Sequence, residues 1–204
     1  SAASDVYKRQ IFGYEKDGRT FVGASPEILV RHRGSEILSY ALAGTAPKHG
    51  PNAWTKEQLL TDKKNLFEHN IVRDRIVDIM KSITPEVIIG ETGIMELAHL
   101  YHLRTIITAK DSTKSLVEWA KLLHPTPALG GEPREKALAL LQKYEAHERG
   151  MYAAPFGFMK DMGDGIVIVA IRSALIMDNV LYAYAGCGVV ADSDADEELS
   201  LIHI

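Results

Sequence analysis

The sequence predicts an α+β fold: one continuous unit with antiparallel β structure near both ends and helices between them. Three observations carry this expectation. Residues 11–37 read as short strands broken by turn residues, apolar residues recur at helical intervals from Thr55 to Ser82, and residues 157–190 again read as strands around turns. No internal repeat, low-complexity tract or linker divides these regions, so a single domain is expected.

The elements follow in order. IFGYE, the turn Lys16-Asp17-Gly18 and RTFVGAS form a hairpin pattern, and EILVRH, the turn Arg33-Gly34 and SEILSYAL form another. Leu59, Leu60, Leu66, Phe67, Ile71, Val72, Ile76, Ile79 and Met80 fall three and four residues apart with charges between them, which predicts one long helix over 55–82. Glu86–Ile89 is a short β-like run, and Met95–Ile107 has no clean period. Ser115–Leu123 reads as a helix ended by Pro125 and Pro127. Pro133–Tyr144 reads as another, separated from the first by Gly130-Gly131. GFMKD, a Gly163-Asp164-Gly165 turn, IVIVAIRSALIM, an Asp178-Asn179 turn and VLYAYAGCGVV predict a two-turn meander.

Composition narrows the function classes. The 204 residues are 46% hydrophobic and 25% charged, as in a folded soluble chain, which excludes disorder as the main state. Against 27 Asp and Glu stand 23 Lys and Arg, a formal charge of -4, so no basic field awaits nucleic acid. Cys187 is the single cysteine, which excludes an internal disulfide and a CxxC metal site. No stretch approaches the about 18 uncharged apolar residues of a membrane span. Asp5, Lys8, Arg9, Glu15 and Asp17 interrupt any signal-like apolar run, and the expected compartment is the cytoplasm.

Several residues are candidates for chemistry. Glu27, just after a Ser-Pro turn, is either a carboxyl held in fixed orientation, as a general acid requires, or a solvated turn residue. Gly44-Thr45 either exposes backbone N–H groups to an anion or forms an ordinary turn. Glu68 shares a helical face with Asn65, His69 and Val72; it is either a Mg²⁺ carboxylate or a solvated residue. His124-Pro125-Thr126-Pro127 is a rigid pocket wall or a helix terminator. Arg172, in an apolar run read as a half-buried strand, needs an anionic partner, either a protein carboxylate or a ligand. Gly186-Cys187-Gly188 precedes Asp192, Asp194, Asp196, Glu197 and Glu198. Together these are an anion cradle with metal carboxylates, or a turn and an acidic tail.

The ordered strings GASPE, ALAGT, FEH, LHPTPALGG, ERGMYAAPFG, AIRSALI and YAGCGVVADSDADEE resemble the successive motifs of the chorismate-binding enzymes, from about Phe12 to Glu198. HPTPA is similar to the isochorismate synthase branch. The resemblance implies an α/β sandwich of antiparallel sheets packed with helices, in a domain about twice this length. It implies conversion of chorismate to isochorismate: Mg²⁺ holds the ring carboxylate, a Lys activates water for attack at C2, and a Glu protonates the departing C4 hydroxyl. Menaquinone or catechol siderophore synthesis would consume the product. No glutamine amidotransferase partner is expected. A salicylate synthase, and a chorismate-binding fragment lacking full catalytic machinery, are the alternatives.

Carried over residue by residue, the resemblance implies Glu27 as the acid and Glu68 and Glu198 as metal ligands. Gly44, Thr45, Arg172, Gly186 and Gly188 would hold substrate carboxylates, Tyr152 would be an aromatic pocket residue, and His124 would belong to the isochorismate-type wall. The base Lys has no counterpart. The second acidic position of the ExxE pair falls on Leu201, Asn65 stands where many members are acidic, and Cys187 interrupts the usual AGAG. SAASDVYKRQ and LSLIHI look foreign to the rest, so the catalytic domain is expected over 11–198, with 1–10 and 199–204 non-native.

Overall fold

The structure, a computed structural model, describes residues 10–202. Strands β1 (Gln10–Lys16) and β2 (Arg19–Ser25) form a hairpin, as do β10 (Ser173–Met177) and β11 (Val180–Tyr184). Both turns carry positive φ at their central residues, 53° and 71° at Asp17 and Gly18 and 52° and 62° at Asp178 and Asn179. That is the backbone twist tight hairpins need, and Asp, Asn and Gly tolerate it. β2 pairs with β10, giving a four-stranded antiparallel sheet in the order β1-β2-β10-β11.

The second sheet has seven strands. β3 (Ile28–Arg33), β4 (Glu36–Pro47), β5 (Val87–Ile89), β6 (Gly93–Glu96), β7 (Leu100–Lys110), β8 (Pro155–Met159) and β9 (Gly165–Val169) lie in the order β5-β7-β4-β3-β9-β8, with β6 also paired to β7. The segment Met95–Ile107, without a clear period in the sequence, is the end of β6 and most of the central strand β7.

The region read as one helix over 55–82 is two: α1 (Lys56–Thr61) and α2 (Lys63–Lys81). Asp62 is the break. Its backbone is extended (φ -73°, ψ 123°) and its carboxylate accepts from the N–H of Asn65, so a residue that ends one helix caps the next. Periodicity is blind to such a break because the apolar spacing continues through it. Next come α3 (Leu116–Leu123), α4 (Pro127–Gly130), α5 (Arg134–Tyr144) and α6 (Ala195–Ile202).

One face of the large sheet buries Leu29, Ile37 and Ile107 against Val72, Ile76 and Met80 of α2 and Trp119 and Leu123 of α3. A second core of Phe12, Phe21, Ile168 and Ala170 sits between the two sheets. Two segments pass from sheet to sheet: Pro26-Glu27 between β2 and β3, and 170–172 between β9 and β10. The meander expected over 157–190 is thus corrected. IVIVAIRSALIM is not one strand, and Arg172, at φ 53°, lies at the crossover rather than within a strand. Arg172 O accepts from Ala24 N–H (3.2 Å) and Glu27 O from Val169 N–H (3.1 Å), so the two crossovers are bonded to each other's strands.

Of the ends expected to be non-native, Gln10 opens β1 and residues 199–202 continue α6. Residues 1–9 and 203–204, and the Leu201 side chain, lie outside the described part.

Candidate active site

The crossover of the sheets places Glu27. Pro26 fixes the backbone where the chain leaves β2, and the Glu27 N–H donates to Ser25 Oγ at 3.2 Å. Only 3% of Glu27 is exposed, and its Oε1 has no hydrogen-bond partner among the described residues. Burial pushes its carboxyl up to about 8, against a smaller downward pull from the Arg172 guanidinium. A carboxyl in this state is mostly protonated at neutral pH and has a proton to give.

A polar chain leads away from Glu27. Arg172 Nη2 contacts His102 Nε2, and His102 Nδ1 lies 2.9 Å from Thr45 Oγ1. A guanidinium only donates, so Nε2 accepts and the Nδ1 proton is donated to Thr45. His102, on β7, went unnoticed in the sequence because its neighbours showed no clean period; in the structure it is buried, 8% exposed.

Thr45 belongs to a bulge in β4. The pairing register with β7 slips between Ala43 and Thr45, and Gly44 there has φ 77°. A Cβ at Gly44 would stand 3.0 Å from Asn65 O, so both the backbone angle and the close approach call for glycine. The exposed N–H groups anticipated at Gly44-Thr45 are taken by α2. Gly44 N–H donates to the Glu68 carboxylate, and Thr45 N–H donates to Asn65 Oδ1 at 3.1 Å. Asn65 Nδ2 in turn donates to Asp62 Oδ1 at 2.8 Å, so Asn65 serves as a bridge from helix cap to bulge.

Beyond the bulge, two carboxylates meet. Glu68 is pushed up by burial, with Glu198 adding repulsion and the Gly44 N–H and Lys64 opposing. Glu198, 6% exposed on α6, accepts from Lys64 Nζ and from Ser193 Oγ (3.0 Å), both on Oε1. Gly188 backs against this pair: a Cβ there would come within 2.5 Å of Glu68 Oε1. The exposed Cys187 thiol is raised by partial burial and then by Glu198 and Glu68, which places it beside them. Lys64 is a further residue that sequence reasoning missed. It lies one turn before Glu68, a spacing shared by any helical ion pair.

Among the described residues no group of three or more His, Cys, Asp or Glu converges as a metal cluster. The pair Glu68 and Glu198 nonetheless fits a hard divalent cation of the Mg²⁺ kind, which takes one or two protein carboxylates and completes its shell with waters and substrate oxygens. A cavity of about 360 Å³ opens beside Glu68, lined by Phe67, Pro127, Ala128, Gly188 and Val190 among others; Glu198 lies outside its lining. Its size suits a small ligand.

Residues 3–204 match the family described as chorismate binding enzyme. The chain belongs to that family. It is 39% identical over 200 residues to isochorismate synthase MenF of Bacillus subtilis (strain 168), covering 95% of this chain and 42% of that protein. It is 38% identical over 194 residues to the salicylate biosynthesis isochorismate synthase of Pseudomonas aeruginosa, covering 93% and 41%. The solved structure of MenF, the menaquinone-specific isochorismate synthase from Escherichia coli, superposes with a TM-score of 0.83 at 28% identity, covering 98% of this chain and 48% of that one. The chain thus spans less than half the length of these relatives. The α+β fold of antiparallel sheets and helices is that of the chorismate-binding enzymes.

In this member of the family, the remaining candidates are not all brought together. Tyr152 stacks on Tyr184 (centroids 5.3 Å apart, planes at 12°), and a Cβ on Gly186 would lie 2.9 Å from its hydroxyl. Burial raises the phenol. Next to these aromatics, an open surface depression, larger but shallower than the cavity beside Glu68, is lined by Gly23, Ala24, Arg172, Ser173 and Tyr184 among others. His124 stands apart. It caps α3, its carbonyl accepts from Arg134 Nη2 at 3.0 Å, and its ring is held below the usual imidazole range by burial and then by Arg134 and Arg149. The HPTPA string reaches the smaller cavity through Pro127 and Ala128, and His124 is not among the lining residues.

Proposed function

We propose that the protein isomerises chorismate to isochorismate, with Glu27 as the general acid that protonates the departing C4 hydroxyl. The observation that carries this reading is the walled-in Glu27 carboxyl, held near 8 and with a free oxygen, next to a fixed guanidinium. Hydroxide leaves poorly from carbon unless it is protonated, and an acid poised slightly above neutral pH supplies the proton without losing it to bulk water. Arg172, oriented by His102, would pair with a substrate carboxylate beside that acid, and Gly186 and Gly188 leave room for the substrate's approach. Thr45 would support this geometry through its bond to His102.

Glu68 and Glu198 would hold Mg²⁺, and the ion when bound supplies positive charge to the ring carboxylate of the substrate. Gly44 N–H fixes one carboxylate and Ser193 the other, and Glu68 lines the smaller cavity. No residue here matches the position at which the resemblance puts the water-activating Lys, and these 204 residues match 42% of the length of the Bacillus subtilis relative. Product chromatography on chorismate tests the reading. Isochorismate as the sole product is the expected result. Salicylate with pyruvate would instead make the protein a salicylate synthase, and no turnover by the protein with its full catalytic complement would leave it a binding protein.

A further inference from the structure

Asn65, Glu68 and His69 stand at i, i+3 and i+4 on α2, and each grips the same β4 bulge. Thr45 N–H goes to Asn65 Oδ1, Gly44 N–H to the Glu68 carboxylate, and His69 Nδ1 lies 3.2 Å from the Ala43 carbonyl oxygen. The other ring nitrogen of His69, Nε2, lies 2.7 Å from Thr105 Oγ1, which lies 2.8 Å from Thr92 Oγ1. A carbonyl only accepts, so the ring proton is on Nδ1. Nε2 then accepts from the Thr105 hydroxyl, and the Thr105 oxygen accepts from Thr92. His69 is fully enclosed, at 0% exposure, and lines neither the cavity nor the surface depression.

We infer that His69 is a positioning residue, which locks the rotation of α2 against the β4 bulge and thereby aims the Glu68 carboxylate. The inference rests on reading Glu68 as a cation-binding carboxylate. Its physical basis is that Glu68 and His69 are adjacent on one rigid helix, so a roll or slide that stretches the His69–Ala43 bond carries Glu68 with it. Divalent cations of the Mg²⁺ type demand near-ideal geometry at about 2.0–2.1 Å, so a displacement tolerable for packing is not tolerable for coordination. The Thr105-Thr92 relay fixes the ring from behind and leaves it a single tautomer.

The test uses amide replacements that keep one ring contact at a time. In His69→Asn the amide nitrogen falls where Nδ1 was and retains the donor to Ala43. In His69→Gln the amide falls where Nε2 was and loses it. Mn²⁺ binding, titrated by the electron paramagnetic resonance of the free ion, is expected to weaken about tenfold or more in His69→Gln, the scale seen when a partner that orients a metal ligand is lost. His69→Asn is expected to stay within about threefold of the parent. KM for chorismate should follow the Mn²⁺ constant. If both variants bind Mn²⁺ like the parent, or both lose affinity equally while folded, the inference is overturned. Should either fail to fold, Thr105→Val, which removes only the hydroxyl behind the ring, decides: an unchanged Mn²⁺ constant overturns it and a several-fold loss supports it. Glu68→Gln is the control. If it too leaves Mn²⁺ binding unchanged, the reading of Glu68 has failed rather than the role of His69 alone.

Discussion

At the crossing of the two sheets a single carboxyl, Glu27, is walled off with an oxygen unpartnered, whereas between α2 and α6 two carboxylates, Glu68 and Glu198, line up around an ammonium, a hydroxyl and a backbone N–H. The first arrangement favours the neutral acid, because burial outweighs the neighbouring guanidinium. In the second, burial also pushes the Glu68 carboxyl up, but there the Gly44 N–H and Lys64 pull against it, donors of a kind the free Glu27 oxygen lacks. One residue type thus stands in two different settings, set apart by what the fold places next to it. The polar chain Arg172–His102–Thr45 runs between the two regions and joins them at the β4 bulge.

The largest expected effect breaks the buried side of that comparison. Glu27→Gln keeps the shape and removes the proton, so kcat should fall about 10²-fold or more while KM for chorismate changes little. Steady-state kinetics reads both constants, and a rise in KM with kcat intact removes Glu27 from the acid role. On the charged side, Glu68→Ala should abolish the Mg²⁺ dependence of substrate binding, visible in a titration of activity and of chorismate binding against Mg²⁺. A merely solvated Glu68 would change nothing beyond about 0.5 kcal/mol of stability.

The pH dependence sharpens the contrast. The folded-state value of Glu27, about 8, is above its ordinary 4.5, so its contribution to stability is fully present below pH 4.5 and is lost as pH rises through about 8. His69 has the opposite sign. Burial holds it down to about 4, below the usual 6.5, so its contribution is present above pH 6.5 and lost as pH falls through about 4. Thermal melts should therefore weaken at both extremes, and Glu27→Gln should flatten the alkaline arm only. In the parent, kcat should decline above about pH 8 as the acid ionises. A melt profile of Glu27→Gln that still falls between pH 6 and 8 like the parent's would show that another group titrates there.

What was legible in the sequence divides along similar lines. Hairpins closed by Asp17-Gly18 and Asp178-Asn179 announce themselves because the turn residues and strand alternation agree locally. The order of the motifs pointed to the family, and through it to Glu27, Glu68 and Glu198. Arg172 was misplaced because IVIVAIRSALIM is apolar throughout, and nothing local distinguishes a strand that continues from one that changes sheets. His102 and His69 were beyond reach for a different reason. Their roles depend on partners in distant segments, Arg172 and Thr45 for one, Ala43 and Thr105 for the other. Nor does any spacing say that the Gly44 and Thr45 N–H groups are taken by α2.

The bulge itself offers a smaller perturbation. Gly44→Ala puts a Cβ at φ 77° and 3.0 Å from Asn65 O, and a left-handed angle for an L-residue costs about 1–2 kcal/mol before the contact is counted. Because Gly44 N–H is bonded to Glu68, calorimetry should show the loss of stability together with weaker Mg²⁺ dependence. Stability loss with the Mg²⁺ response untouched would uncouple the bulge from the carboxylate pair.

The smallest expected effect concerns a third carboxylate, Asp62, handled in yet another way. Its Oδ1 accepts from both the backbone N–H and the side-chain Nδ2 of Asn65, each at 2.8 Å, at the first turn of α2. There the unsatisfied N–H groups and the positive end of the helix favour a negative acceptor. Asp62→Ala should cost about 1 kcal/mol, the usual loss for an N-cap. That corresponds to about 2–4 °C in Tm for a chain of this size. Asn65 keeps its bond to the Thr45 N–H through Oδ1, and His69 still anchors the helix from the other side of the bulge. The catalytic constants and the Mg²⁺ response should therefore stay within about twofold, since a cap lost from an otherwise anchored helix costs stability without moving the residues one turn on. Asp62→Asn, whose side-chain oxygen still accepts, should recover most of the stability. If Asp62→Ala instead raises KM in step with the Mg²⁺ constant, the amide of Asn65 needs Asp62 to hold its orientation, and the grip of α2 on the bulge begins at the cap rather than at His69.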